Sequence, residues 1–494
     1  MNRSIEYWQA KSESLNPEGR AFIDGKYVDS ISGKTFPCVN PATGKEFARI
    51  ADCDQADVDL AVSIAKERFD NGIWSKRSPT ERKNVLLKLA ALIQENMEEL
   101  SLLESLDMGK PVEVSYSYEM PELASYVQWV AEAVDKLYDE VAPTGQGDLA
   151  LIRREALGVV ACVVPWNFPL DMAIWKCVPA LAMGNSVVLK PAEQSPLTAI
   201  KLAALVKAAG VPDGVFNVVT GFGETVGAPL GLHMDVACLA FTGSTEVGKY
   251  FLKYSAESNM KLVWLECGGK SPNIVFADTE NLDQAAELAA RVFYNQGEVC
   301  SSPTRLLVEE SIHDEFVARV IKYAESYEPT DPLDPNCLMG SMVEDIHTQR
   351  VMKHIQSGKA EATLAYGGEQ VQLNGSSNFI RPTIFTGVTN EMRIAKEEIF
   401  GPVLSIIKFK TEAEAIEIAN DSIYGLMASV FTSNLSRAHR VSEALKAGTV
   451  TVNTVDMISP LVPFGGVKQS GNGRDNSLHA FEKYSSLKTT WIKY

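Results

Sequence analysis

The 494-residue chain is poor in positive charge, with 46 Lys and Arg against 63 Asp and Glu for a formal net charge of −17. Such a balance repels phosphate backbones and anionic lipid, so neither a nucleic-acid binder nor a membrane-surface protein is expected. The eight cysteines include no CxxC pair, and no histidine stands near one at metal-ligand spacing. That excludes the usual zinc and disulfide frameworks, and free thiols point to a reducing cytoplasm. Apolar runs such as 157–165 fall well short of the ~20 residues that span a bilayer. The opening MNRSIEYWQAKSESLNPEGR is polar and has no signal-peptide core. Repeats and low-complexity segments are also missing. These absences leave a cytoplasmic globular protein with no metal and a small-molecule partner.

The chain is too long for one hydrophobic core, so two or three domains are expected. Residues 56–105 place Val85, Leu86, Leu89, Leu92 and Ile93 at helical spacing. From about residue 156 short apolar strands alternate with helices. Strands are predicted at 159–164, 186–189, 216–219 and 236–241, with helices at 196–209 and 224–230 between them. A second alternation has strands at 273–276, 305–308, 403–409, 428–431 and 449–453, with helices at 282–293 and 413–421. Alternation of this kind predicts two α/β domains built on parallel sheets. Segments 149–155 and 486–493 alternate as edge strands, which need a covering partner. The junction at LECGGK is glycine-rich, and a cleft between the domains is the expected place for chemistry.

Several residues have the right chemistry for such a cleft. Cys300 follows a helix at a glycine-containing turn, where a helix N-terminus would lower the thiol pKa; as one thiol among eight it is equally a small buried residue. Glu266 ends an apolar strand, where burial raises a carboxyl's pKa and suits it to accept a proton from water. A salt bridge to Lys270 is its plainer explanation. Asn167 sits between prolines in PWNFP, stiff enough to hold an amide where an oxyanion develops, or simply a turn residue. Gly221–Gly227 spaces its glycines wrongly for a dinucleotide fingerprint. By contrast FTGSTEVG follows a strand and opens a helix, so its amides and Ser244 suit a phosphate. Lys190 and Glu193, just past a strand end, suit ribose hydroxyls.

Seven motifs occur in order: PWNFPL (165–170), GNSVVLKPAEQSPLTA (184–199), FTGSTEVG (241–248), LECGGKSPNIVF (265–276), NQGEVC (295–300), EEIFGPV (397–403) and VPFGGVKQSGNGRD (462–475). Together they resemble the NAD(P)-dependent aldehyde dehydrogenase superfamily over nearly the whole chain. The resemblance implies an α/β fold: a Rossmann-type NAD-binding domain (1–134 and 156–266), a second α/β catalytic domain (267–480) and a small β oligomerisation arm (135–155 and 481–494). It implies that Cys300 attacks the aldehyde, Asn167 and the Cys300 N–H hold the oxyanion, and Glu266 activates water against the thioester. Lys190 is implied in both the catalytic and the cofactor set. The other cofactor contacts implied are Val164, Trp166, Glu193, Gly223, Phe241, Gly243, Ser244, Val247, Leu265, Gly268, Glu398 and Phe400. A carboxylate at Glu193 favours NAD over NADP, NADP being the weaker alternative. A homo-oligomer, tetramer or dimer, is implied as well.

The substrate tunnel implied by the resemblance is lined by Glu122, Phe168, Asp171, Trp175, Tyr294, Ser301, Asp456 and Phe464, with Met172, Val299 and Ile458. Glu119 and Glu122 fall at i,i+3, on one face if this segment is helical. With Asp171 and Asp456 they make a negative mouth suited to a cationic group, unless they are merely solvated acids. The sequence is most similar to the polyamine-catabolism branch of the family, whose substrates are amino-, guanidino- and gamma-glutamylamino-aldehydes. A broad aliphatic aldehyde dehydrogenase is the alternative. A CoA-acylating enzyme is disfavoured by Glu266, and a non-catalytic binding protein by the joint presence of Cys300, Glu266, Asn167 and Lys190.

Overall fold

The computed structural model describes residues 3–494. Its first sheet has seven strands, and five of them are parallel and buried almost throughout: Val159–Val163, Ser186–Lys190, Phe216–Val218, Val236–Thr242 and Leu262–Glu266. Strands this nearly apolar cannot leave either face in water, so helices cover both. Helices Pro79–Glu95, Met120–Val134, Pro169–Ala182 and Leu197–Ala209 build one core. Gln55–Asn71 and the exposed-faced Thr245–Glu257 build the other. Numbered along the chain, the five strands lie in the order 3-2-1-4-5, with the hairpin Ala21–Ile23 and Lys26–Val28 added antiparallel at the edge. The strand order therefore reverses between Val159–Val163 and Val236–Thr242, and ligands of open α/β sheets bind outside the carboxyl ends at such a point.

The second sheet also has seven strands, in the order Thr363–Tyr366, Thr383–Thr386, Val403–Phe409, Arg305–Glu309, Pro272–Val275, Met427–Phe431 and Thr449–Val452. Only Thr363–Tyr366 runs antiparallel to its neighbour. The third unit is a three-stranded sheet in which Ser485–Lys493 pairs along Asp148–Ala156, which in turn pairs with Glu140–Ala142. One edge of Ser485–Lys493 is paired and the other is bare, with Leu487 and Trp491 well exposed. Among the described residues no helix is long and apolar enough to cross a membrane.

Two expected helices differ. The one predicted over 224–230 is a wide π turn, Gly223–Gly227, running into Ala228–Leu232. The one predicted over 282–293 is α-helical only through Ala290 and continues as a 3₁₀ segment, Arg291–Gly297. Within it Tyr294 is extended, and Asn295, Gln296 and Gly297 are left-handed at φ 48°, 58° and 71°. Apolar spacing carries no signal for such a turn.

Candidate active site

A cleft of about 1190 Å³ opens where the loops after the strands of both sheets meet, and Asn167, Glu266, Cys300 and Glu398 all line it. Cys300 reaches it through the left-handed run at 295–297. Left-handed backbone costs roughly 1–2 kcal/mol for each non-glycine residue, so side chains must hold it. Asn295 donates from Nδ2 to the Asn167 carbonyl at 3.0 Å and to the Glu298 carbonyl at 3.3 Å. Gln296 Oε1 accepts from the Gly340 N–H at 3.1 Å, and buried Glu298 accepts from the Val343 N–H at 3.2 Å. A Cβ at Gly297 would stand 2.3 Å from the Gly401 carbonyl carbon, so only glycine fits.

Cys300 is half-buried. No helix begins beside it, and its thiol is not acidified as expected. Burial first, then the carboxylates of Glu398, Asp456 and Glu266, push its pKa up. The resting group is therefore the thiol. Asn167 Nδ2 donates to the Glu298 carbonyl at 2.8 Å, which fixes the amide at the cleft wall. Glu266 is the last residue of its strand and buried, and neither carboxylate oxygen has a hydrogen-bond partner among the described residues. Burial and the neighbouring Asp475 raise its pKa well above the usual range, against Lys176, Lys483 and Arg474. The expected salt bridge to Lys270 does not form. Lys270 is itself buried without a partner among the described residues, and burial with the nearby Arg305 brings it down to about 7.

Of the residues assigned to the cofactor, Val164, Lys190, Gly243 and Gly268 fall at or just past the carboxyl ends of strands. Gly223 and Val247 lie in helical turns, and Glu398 and Phe400 lie in the loop before Val403–Phe409. Val164, Phe241 and Leu265 are buried and do not line the cleft. Lys190 Nζ lies 3.3 Å from Glu193 and donates to the Pro191 carbonyl at 2.9 Å, and burial lowers its pKa. The Ser244 hydroxyl accepts from the Val247 N–H at 3.2 Å as cap of the following helix, which leaves its own O–H and the other amides of the first turn as donors. Gly243 lacks a Cβ because the Phe241 ring occupies its place at 2.5 Å, whereas the space above Gly223 is open. A Cβ at Gly268 would stand 2.1 Å from Glu398 Oε2. Glu398 accepts from the Gly269 N–H at 2.9 Å, and burial pushes it up to about 7. Trp166 meets Phe400 edge to face with centroids 5.2 Å apart, and Val247 is partly exposed on the helix beyond.

Glu122, Phe168, Asp171, Trp175, Tyr294, Ser301, Asp456 and Phe464 line the opposite half of the same cleft. Trp175 packs edge-on to Phe464 at 5.6 Å, and Phe168 lies 6.4 Å from Tyr294. The acids are not the simple negative mouth expected. Glu119 is buried, pairs with Lys110 at 2.7 Å and accepts from the Tyr294 hydroxyl at 2.7 Å, so its charge is already matched. Asp171 Oδ2 is buried with no partner among the described residues, and burial followed by Glu119 raises its pKa well above the usual range. Asp456 is raised by burial against a Ser301 hydrogen bond, in a left-handed conformation at φ 49°. Glu122 is exposed at the rim of the cleft, and its pKa is raised by partial desolvation and then by Glu119.

The aldehyde dehydrogenase family model matches residues 27–490. The NADP/NAD-dependent aldehyde dehydrogenase PuuC of Escherichia coli is 52% identical over 99% of this chain and 98% of its own. The chain belongs to the aldehyde dehydrogenase family. A gamma-glutamyl-gamma-aminobutyraldehyde dehydrogenase from Burkholderia cenocepacia superposes with a TM-score of 0.98 at 53% identity, covering 99% of each chain. The indole-3-acetaldehyde dehydrogenase AldA of P. syringae, solved with NAD+ and IAA, gives 0.98 at 52% identity over 99% of this chain and 100% of that one.

Sequence reasoning missed several parts of this aldehyde dehydrogenase site. His347 stands between Trp166 and Phe400, and its Nε2 bonds the Phe400 carbonyl at 2.7 Å. Phe400 is left-handed at φ 59°, a conformation that this bond helps to hold. Burial lowers His347 to about 4, so it is a neutral donor. Asp475, which closed the last quoted motif, pairs with Lys176 at 2.6 Å and with Lys483 directly behind Glu266. Lys110 carried no local motif at all.

Proposed function

We propose that the chain oxidises an aldehyde to its acid with NAD, through a thioester on Cys300, and that ω-amino, ω-guanidino or gamma-glutamylamino aldehydes are its preferred substrates. The observation that carries the chemistry is the meeting of Cys300, Asn167 and an unpaired, buried Glu266 on one cleft. The sulfur gives up its proton to water in the open cleft as it attacks the aldehyde carbon, leaving Glu266 for the later step. The Asn167 amide and the Cys300 N–H face the developing oxyanion, where fixed donors are worth ~3–4 kcal/mol. Glu266, once ionised, takes the proton of the water that opens the thioester; the burial that raises its pKa favours the neutral acid at rest and makes the carboxylate a strong acceptor.

The crevice at the strand-order reversal fits NAD. Lys190 with Glu193 suits a ribose edge, the amides after Gly243 suit phosphate, and Glu398 suits the second ribose. NAD supplies the electron acceptor when bound there. Glu193 disfavours a 2′-phosphate by charge, so NAD is preferred even though the PuuC relative is named for both cofactors. The bare edge of Ser485–Lys493 fits a β-paired dimer or tetramer, in the cytoplasm.

Substrate class rests on the tunnel acids. Glu104, Glu119 and Asp171 bring their oxygens within 4.8 Å of one another, and among the described residues Lys110 is the one cation bonded to them. Asp171 and Glu122 thus remain unmatched, as a cationic head group requires. The aromatic lining of Phe168, Trp175, Tyr294 and Phe464 favours a second reading, an aryl aldehyde. A kcat/KM panel with aminobutyraldehyde, guanidinobutyraldehyde, butyraldehyde and indole-3-acetaldehyde separates the two. Cationic aldehydes lead in the wild type, and Asp171→Asn with Glu122→Gln removes at least about ten-fold of that preference, roughly 1.4 kcal/mol. An unchanged ratio refutes the charged tunnel, and Cys300→Ala still forming NADH refutes the thioester.

A further inference from the structure

Behind Glu266 lies a set of charges that hydrolysis as described above does not use. Asp475 is fully buried, with Lys176 Nζ on its Oδ2 at 2.6 Å and Lys483 Nζ on its Oδ1. Both lysines are buried as well. Asp475 is set in place by a two-way backbone pairing with Phe464, at 2.8 and 2.7 Å. Lys483 is tied to the Glu266 strand itself, its carbonyl accepting from Trp264 Nε1 at 3.0 Å. A Cβ at Gly465 would stand 2.6 Å from Glu266 Oε1, so the same loop closes over the base.

The charge count is informative. Asp475 with two lysines carries one net positive charge in a site where an uncompensated charge is costly. One more carboxylate, ionised Glu266, makes the group of four neutral. With Lys176 alone, the count with Glu266 ionised would be one net negative charge. We infer that Lys483 is a positioning residue for hydrolysis: bridged through Asp475 to Lys176, it supplies the positive charge that lets buried Glu266 exist as a carboxylate. The other groups facing this cluster are Arg474, the thiols of Cys162, Cys177, Cys238, Cys267 and Cys300, and the hydroxyls of Tyr126 and Tyr484. Arg474 is a fifth charge, but it is partly exposed and points its guanidinium at the Gly466 and Gly473 carbonyls, so solvent screens it and the count is kept to the four buried groups. Among these, burial and Lys176 oppose the charge of Lys483 while Asp475 holds it. The tyrosines and Cys177 and Cys238 have pKa values pushed up by burial, so they remain neutral and leave the count unchanged.

The inference rests on the thioester reading, so the test follows the acyl-enzyme directly. Intact-mass spectrometry after rapid quench, with butyraldehyde and NAD as probes, gives its decay at each pH, and the NADH burst gives its formation. Lys483→Met keeps the burst but slows decay about ten-fold at neutral pH, moving the profile to higher pH. Lys483→Arg stays near wild type. Asp475→Asn moves the profile to lower pH, because two lysines then face Glu266 unopposed. The double variant Lys483→Met/Asp475→Asn, neutral again with Glu266 ionised, returns toward wild type. A Lys483→Met enzyme with a normal burst and an unmoved profile overturns the inference. So does a double variant worse than either single one, which marks a purely structural role. If Lys483→Met does not accumulate as folded protein, Asp475→Asn decides by the direction of its shift, and no shift or an upward one overturns the inference. Absence of any acyl-enzyme in the wild type is a different failure, that of the thioester reading.

Discussion

Lys110 allows a sharp quantitative test, because nothing replaces it. The ammonium is fully buried, 3.2 Å from Glu104 and 2.7 Å from Glu119, and it lies 4.2 Å from the centroid of the Phe168 ring. Glu104 also accepts from the Leu170 N–H at 3.0 Å and from Ser115, so the lysine's partners set the start of helix Pro169–Ala182 along the tunnel. Lys110→Met keeps the length of the side chain and removes the charge. Breaking a buried pair by deleting one partner costs about 3–5 kcal/mol. Glu104 and Asp171 escape part of that by taking up protons. Burial already raises the pKa values of Glu104 and Asp171, and Lys110 opposes the rise in both, so its loss raises them further. A carboxyl whose folded pKa exceeds its unfolded one stabilises the fold at low pH and loses that contribution as pH rises through the folded value. Each proton retained only in the folded state steepens the fall by about 1.4 kcal/mol per pH unit. The variant's deficit is therefore larger at pH 8 than at pH 5.5. Urea unfolding of the cofactor-free protein at both values measures it. A deficit under about 1 kcal/mol at pH 8, or one equal at the two pH values, refutes the reasoning.

Three other perturbations follow from the same geometry. Glu193→Ser removes the carboxylate beside Lys190, so the NADP-to-NAD ratio of kcat/KM rises about ten-fold or more from relieved charge repulsion alone; steady-state kinetics with each cofactor checks it. Asn167→Ala removes one oxyanion donor and lowers kcat by roughly 10²–10³ with little change in KM, read from aldehyde saturation curves. Deleting 485–494 strips the strand that covers Asp148–Ala156, and light scattering then reports a smaller assembly than the full chain.

The two sheets were legible because their strands are nearly unbroken apolar runs. Val159–Val163 and Ser186–Lys190 are buried at every position, and burial on both faces is what such runs signify. The arm strands were legible for the opposite reason, alternation without a core to face. What was not legible depends on backbone conformation or on distant charge. The turn bringing Cys300 into the cleft uses three left-handed residues, two of them non-glycine, held by bonds from Asn295 to Asn167 and from Gly340 to Gln296. Those partners are far apart in the chain, and no local pattern announces them. The raised pKa of Glu266 was legible from its apolar strand, while the state of the thiol and the partners of the carboxyl were not. The thiol of Cys300 was expected to be acidic from its turn, yet three carboxylates from separate segments face it. The plainer alternative for Glu266, a salt bridge to Lys270 four residues on, does not form, and the carboxyl faces Asp475, Lys176 and Lys483. A buried charge is set by whatever the fold brings within a few ångströms. Residue type therefore identified the reacting groups, while their protonation depended on residues such as Lys110 and Lys483 that look like ordinary surface lysines until the sheets are assembled.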